Sequence, residues 1–135
     1  MPINVTWKNE AKTELIFVYE GQWTLNDFYE ITRKGNTMME EVAHPVNTVL
    51  DIRNSKMLPN GFINAISNVS RKSPPNSGVM VMIGINAFAR TFISWYRKIY
   101  PTKAGEKTIY YAGNYDEAQA IIDRLKVVNA DVRVS

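Results

Sequence analysis

The sequence predicts a single α/β domain of order β-β-α-β-α-β-α-β-α, with a mixed, mostly parallel five-stranded sheet and four helices. Three observations carry this. After an opening pair of strands, short β-rich runs alternate with stretches of helical periodicity, the pattern of parallel strands joined by right-handed helical crossovers. Residues 79–85 (VMVMIGI) form a continuous apolar run bounded by turn signals, as an interior parallel strand covered on both faces requires. The chain has 135 residues, the length of one domain. A chain of that size buries about 68–70% of its unfolded surface and needs no disulfide or metal to fold.

Residues 3–8 (INVTWK) alternate apolar and polar side chains, the period of a half-buried strand. A polar turn over 9–12 leads to a second β-rich run at 13–20, which makes a hairpin closed off by Gly21. The first helix has full start signals. Thr24 stands at the N-cap and Asp27 three residues on, while Trp23 and Phe28 occupy the two positions of a hydrophobic staple. Apolar residues then recur at helical spacing to Val42, and Gly35 within that stripe offers close packing on the sheet. His44-Pro45 ends the connection.

Residues 46–52 (VNTVLDI) read as a buried strand that runs into a polar, basic turn, RNSKMLPNG, ahead of a second helix over 59–71. A breaker cluster (KSPPNSG) precedes the 79–85 strand. Asn86 then caps a third helix, AFARTFISWYRKIY, stopped by Pro101. A short strand at 107–112 and a helix over 115–126 complete the domain, taken as residues 1–128, with 129–135 as a loose tail. The last helix places acids in its first turn and bases in its last, which suits the helix dipole.

Composition and motifs exclude several kinds of chemistry. The apolar share of 45% and charged share of 21% are those of an ordinary globular protein. With no cysteine there is no disulfide, thiolate nucleophile or thiolate metal site. His44, the only histidine, is read as a loop residue and not as a catalytic base. No two ligand-type residues fall at i, i+4 beside a third, so no metal is expected, and neither glycine-rich phosphate cradle is present, so no cofactor is expected. The start of the chain has no secretory signal and no apolar run reaches transmembrane length, so a cytoplasmic protein is expected.

The net charge of +3 is unevenly spread: residues 52–107 carry nine bases and one acid. Arg71, Lys72, Arg97 and Lys98 end helices, where cations are favoured anyway. Arg53, Lys56 and Arg90 have no such explanation. By topology they approach the carboxyl edge of the sheet, where ligands of α/β folds bind, beside Asn54, Ser55, Asn60 and Asn86. Asp51 stands at the same strand end, with partnership to Arg53 weighed against an acid–base role. In the third helix Phe88, Phe92, Trp95 and Tyr96 belong to an apolar surface wider than sheet packing needs. That surface is either deeply buried or an apolar face for a second copy of the chain, a lipid or a small apolar ligand. Nucleic acid is disfavoured, because the bases are not interleaved with loop aromatics.

The order and lengths of these elements, with Val49-Leu50-Asp51-Ile52 at a strand end, resemble the STAS family of sulfate-transporter domains and anti-sigma-factor antagonists over residues 3–126. The resemblance implies a non-enzymatic regulatory module that binds a protein partner through the start of its second helix. Phosphoregulated members carry an Asp-Ser-Ser-Gly-like turn there. Here the turn is Leu58-Pro59-Asn60-Gly61, which keeps the glycine and lacks the acceptor serine. Ser55 lies earlier in the loop and does not align. Other stand-alone members are proposed to bind lipids or small apolar ligands, which gives the aromatic third helix as an alternative; an enzyme using Asp51 and Arg53 ranks last.

Overall fold

The computed structural model describes residues 2–84 and 109–134, with side chains described as far as residue 125. Five strands form one sheet: β1 (Ile3–Trp7), β2 (Glu14–Gly21), β3 (Val46–Ser55), β4 (Ser77–Ile83) and β5 (Ile109–Ala112), in spatial order β1-β2-β3-β4-β5. β1 and β2 make the antiparallel hairpin, Val5 opposite Phe17, and every later pairing is parallel. The described helices are α1 (Leu25–Glu40), α2 (Phe62–Arg71) and α3 (Tyr115–Val134). The sheet is as expected. The helix expected over 87–100 lies outside the described residues, and with it Asn86, Phe88, Arg90, Phe92, Trp95 and Tyr96.

The alternating pattern of the strands divides the core into two layers. On one face Leu15, Phe17, Tyr19, Leu50, Ile52 and Met82 pack against Phe28, Ile31 and Met39 of α1 and Phe62, Ala65 and Ile66 of α2. On the other, Val49, Val81, Ile83 and Ala112 pack against Ala118 and Ile122 of α3. A buried acid lies on this second face too. Glu14 is only 2% exposed and is held by Lys8 at 3.0 Å and by the Gln119 amide of α3, which donates at 3.2 Å.

The start of α1 forms as its sequence specifies. The Thr24 hydroxyl accepts from Asp27 N at 3.1 Å while the Asp27 carboxylate accepts from Thr24 N at 3.0 Å, so two otherwise unpaired amide groups are satisfied. Trp23 and Phe28 meet as the staple predicts, ring centroids 6.4 Å apart. The end of α1 is held from a distance: the Asn76 amide donates to the carbonyls of Met39, Val42 and His44 at 2.9–3.1 Å. His44 is an exposed loop residue whose Nε2–H donates to the Lys12 carbonyl.

Several boundaries differ from expectation; β4, for one, spans Ser77–Ile83 where a strand over 79–85 was expected. β3 runs on to Ser55, because Asn54 and Ser55 pair with Glu20 and Gly21 after a one-residue bulge in β3 itself, so Arg53–Ser55 belong to the sheet and not to a turn. α2 starts at Phe62, after Gly61 in the left-handed region (φ 82°). α3 continues to Val134 through residues 127–134, expected to be partly a loose tail; that stretch contains neither glycine nor proline to stop it.

Gly35 confirms its expected role. A Cβ there would lie 2.5 Å from Cζ of the buried Phe17 ring, so α1 approaches the sheet too closely for any side chain. Alanine in place of glycine gains about 1 kcal/mol of helix propensity. Overpacking a filled core costs about 1–3 kcal/mol. Gly35→Ala is therefore expected to lower stability in denaturant unfolding; a stabilised variant would contradict this packing.

Candidate functional site

The carboxyl end of β3 brings together residues from three distant parts of the chain. Asp51 is 5% exposed, on the face covered by α3. Its Oδ1 accepts from the Arg53 backbone N–H at 3.1 Å and from Arg53 Nε at 3.0 Å. Its Oδ2 accepts from Arg53 Nη2 at 2.9 Å and from the Tyr115 hydroxyl at 2.8 Å. The two-residue spacing along a strand puts Asp51 and Arg53 on one face, which lets the guanidinium fold back over the carboxylate. It also lies over the Tyr115 ring, 5.1 Å from its centroid. Gly84 makes room for this at the end of β4. Its φ is 100°, and a Cβ there would come within 2.6–2.9 Å of Cγ, N and Cα of Arg53.

The electrostatics follow from that geometry. Burial disfavours the Asp51 carboxylate, but the hydrogen bonds from Arg53 and Tyr115 and the guanidinium charge outweigh it and hold its pKa below the usual carboxylate range. Burial and the bond to Asp51 push the Tyr115 phenol up to about 12. The hydrogen bond to Asp51 raises the Arg53 pKa further. The cluster is thus a carboxylate, a guanidinium and a neutral phenol at physiological pH, each occupied by the others. An ionised acid with both oxygens engaged is poorly suited to proton transfer.

On the opposite face of the sheet the Trp23 indole N–H donates to the Ser55 hydroxyl at 2.9 Å. The ring is 3% exposed and packs tilted against Tyr19 and edge-on against Phe62, with centroids 4.9 and 5.0 Å away. Ser55 therefore anchors a core aromatic. Beyond it, Lys56 N donates to the Gly21 carbonyl at 2.9 Å, and residues 56–61 form the actual loop. Leu58 packs inward against the core, while Lys56, Met57 and Asn60 are exposed, Met57 by 66%.

Of the residues singled out in the sequence, Asp51 and Arg53 form one cluster and Asn54 lies exposed on β3. Ser55 closes the strand and Lys56 and Asn60 border the loop. Asn86, Arg90 and the aromatic face of the expected third helix lie outside the described residues. Arg53 is not a free cation beside Lys56, since its side chain is committed to Asp51. Sequence reasoning missed Tyr115 and Met57. Tyr115 opens the helix after β5, and parallel topology brings that start to the same sheet edge. Among the described residues, no group of three or more His, Cys, Asp or Glu is placed to hold a metal ion.

No protein-family model matches the sequence, and no curated protein does. Among solved structures, the chain is similar to an uncharacterized protein of the DUF3478 family from Shewanella loihica PV-4, whose crystal structure is described as having a SpoIIAA-like fold. The match has a TM-score of 0.56 and 13% sequence identity, and covers 87% of this chain and 90% of that one. The fold is SpoIIAA-like. This is the STAS architecture that the order of elements led us to expect. Within the SpoIIAA-like fold, the turn before α2 carries Pro59 and Asn60 and no serine. No described helix is long and apolar enough to cross a membrane.

Asp51 contributes stability above the carboxylate pKa of the unfolded chain, about 3.9. This contribution is lost as pH falls through its lower folded value. Asp51→Asn is expected to cost on the order of 1–3 kcal/mol near neutral pH. In urea unfolding, the gap between wild type and variant should stay constant from pH 7 to pH 5 and shrink below about pH 4. A gap that widens on acidification would contradict the low folded pKa.

Proposed function

We propose that this protein is a non-enzymatic binding module whose protein partner docks on the loop of residues 56–61 at the carboxyl end of β3. The observation that carries the reading is Met57. It is the one large apolar side chain exposed among the described residues, and it stands between the exposed Lys56 and the inward-packed Leu58. A single apolar anchor with a polar rim is the anatomy of a small interface core, and the flexible thioether adapts to an irregular pocket. Lys56 supplies a charge not committed to an ion pair among the described residues, so the matching surface offers an apolar pocket beside an acidic group. The occupied state of Asp51 and Arg53 supports binding over catalysis. The SpoIIAA-like fold is consistent with such a module, and the turn Leu58-Pro59-Asn60-Gly61 leaves contact without the serine phosphorylation of related turns.

Cross-linking in cells followed by mass spectrometry tests this. The wild-type chain is expected to capture a partner through residues 56–61. The double variant Lys56→Glu/Met57→Asp should lose at least tenfold of that capture while keeping its circular-dichroism spectrum and melting temperature. An Asn4→Asp control at the exposed face of β1 should keep it. Equal capture by the double variant would overturn the site.

A further inference from the structure

The turn that leads into α2 carries a reactive pair of residues. Asn60 is the only asparagine in the chain followed by glycine; every other asparagine is followed by a residue with a side chain. Phe62 N donates to the Pro59 carbonyl at 3.2 Å, so residues 59–62 form a β-turn with Asn60 and Gly61 at its centre. Gly61 has φ 82° and ψ 8° while Asn60 has a negative φ, which makes the turn type II. Both central residues are exposed. Among the described residues no hydrogen bond holds the Asn60 side chain or the Gly61 N–H. At other asparagines the next backbone nitrogen is held. After Asn26 it donates to the Thr24 hydroxyl at 3.1 Å, after Asn64 to the Gly61 carbonyl at 2.9 Å, and after Asn76 to the Pro74 carbonyl at 3.0 Å.

We propose that Asn60 is a site of spontaneous deamidation that changes the charge of this loop. The Gly61 backbone nitrogen gives its proton to solvent base and bonds to Asn60 Cγ; the Cγ–Nδ2 bond breaks, and Nδ2 leaves as ammonia to close a succinimide ring. Water then opens the ring. Addition at Cγ gives aspartate, and addition at the backbone carbonyl carbon of residue 60 gives isoaspartate, whose chain runs through the side-chain carbon. Attack requires the peptide unit between Asn60 and Gly61 to turn its nitrogen toward the side chain. This is the motion that interconverts type II and type I turns; it keeps the bond from Phe62 to Pro59, and glycine accepts φ of either sign. The loop of residues 56–61 carries one charge, that of Lys56, and the new carboxylate cancels it. The product anion also stands beside the first turn of α2, which holds no acid and where the helix dipole favours one. The site lies in the loop proposed to bind a protein, but the chemistry rests on the turn alone and not on that docking.

The test holds the folded full chain in mildly alkaline water enriched in oxygen-18 and follows Asn60 by tryptic peptide mapping. The peptide of residues 57–71 contains Asn60, Asn64 and Asn68, so its fragment ions compare the three sites in one spectrum. Asn60 is expected to convert roughly tenfold faster or more than the other two, because no side chain shields the Gly61 nitrogen. Its product should carry oxygen-18, include isoaspartate and form faster as pH rises, since the attacking nitrogen must lose its proton. Asn60→Gln keeps an exposed amide whose longer side chain closes a ring far more slowly, and it should stay intact at position 60 over the same incubation. Conversion at Asn60 no faster than at Asn64 and Asn68, or a product without isoaspartate, would overturn the proposal. So would a folded chain that stays intact at Asn60 under conditions where the urea-unfolded chain converts there.

Discussion

A buried carboxylate must be paired or it is forced to neutralise, and the end of β3 is built around meeting that demand for Asp51. Its four hydrogen bonds come from Arg53 two residues along the same strand and from Tyr115 at the first residue of α3. Gly84, just past β4, leaves the space in which the Arg53 backbone and side chain lie. One charge thereby ties β3 to the end of β4 and the start of α3, the elements that define the carboxyl edge of the sheet. The same ties remove Asp51 and Arg53 from chemistry. What this edge presents to a partner is the loop beyond Ser55, and the two faces of the sheet divide the labour: a polar knot under α3, an aromatic core under α1 and α2.

Features set by neighbours along the chain are legible from the residues alone. The strand alternation, the capping box at Thr24 and Asp27 and the staple of Trp23 on Phe28 all follow from residues a few positions apart. Pairing of Asp51 with Arg53 is legible for the same reason, since side chains two apart share a strand face. The extension of β3 is not. It depends on a bulge in β3 that brings Ser55 opposite Gly21, and a polar run such as RNS is locally indistinguishable from a turn. Tyr115 lies 64 residues from Asp51, and no local pattern announces which strand end a helix start will reach. Likewise a tyrosine in an alternating strand looks the same whether its hydroxyl reaches solvent or, as at position 19, stays inside.

The likeness to a SpoIIAA-like structure at 13% identity rests on how the elements are arranged, while the residues at the loop before α2 are this chain's own. Met57 outward and Leu58 inward give that loop a fixed inner edge and an apolar tip. Gly61 then turns the chain into α2 through a left-handed conformation that other residues adopt at a cost.

The central claim is that Asp51 and Tyr115 act as one structural unit. A double-mutant cycle on folding stability with Asp51→Asn, Tyr115→Phe and the pair measures it directly. The account predicts a coupling energy of at least about 1 kcal/mol, with the double variant scarcely less stable than the worse single one. Additive losses, with coupling below about 0.3 kcal/mol, would contradict it.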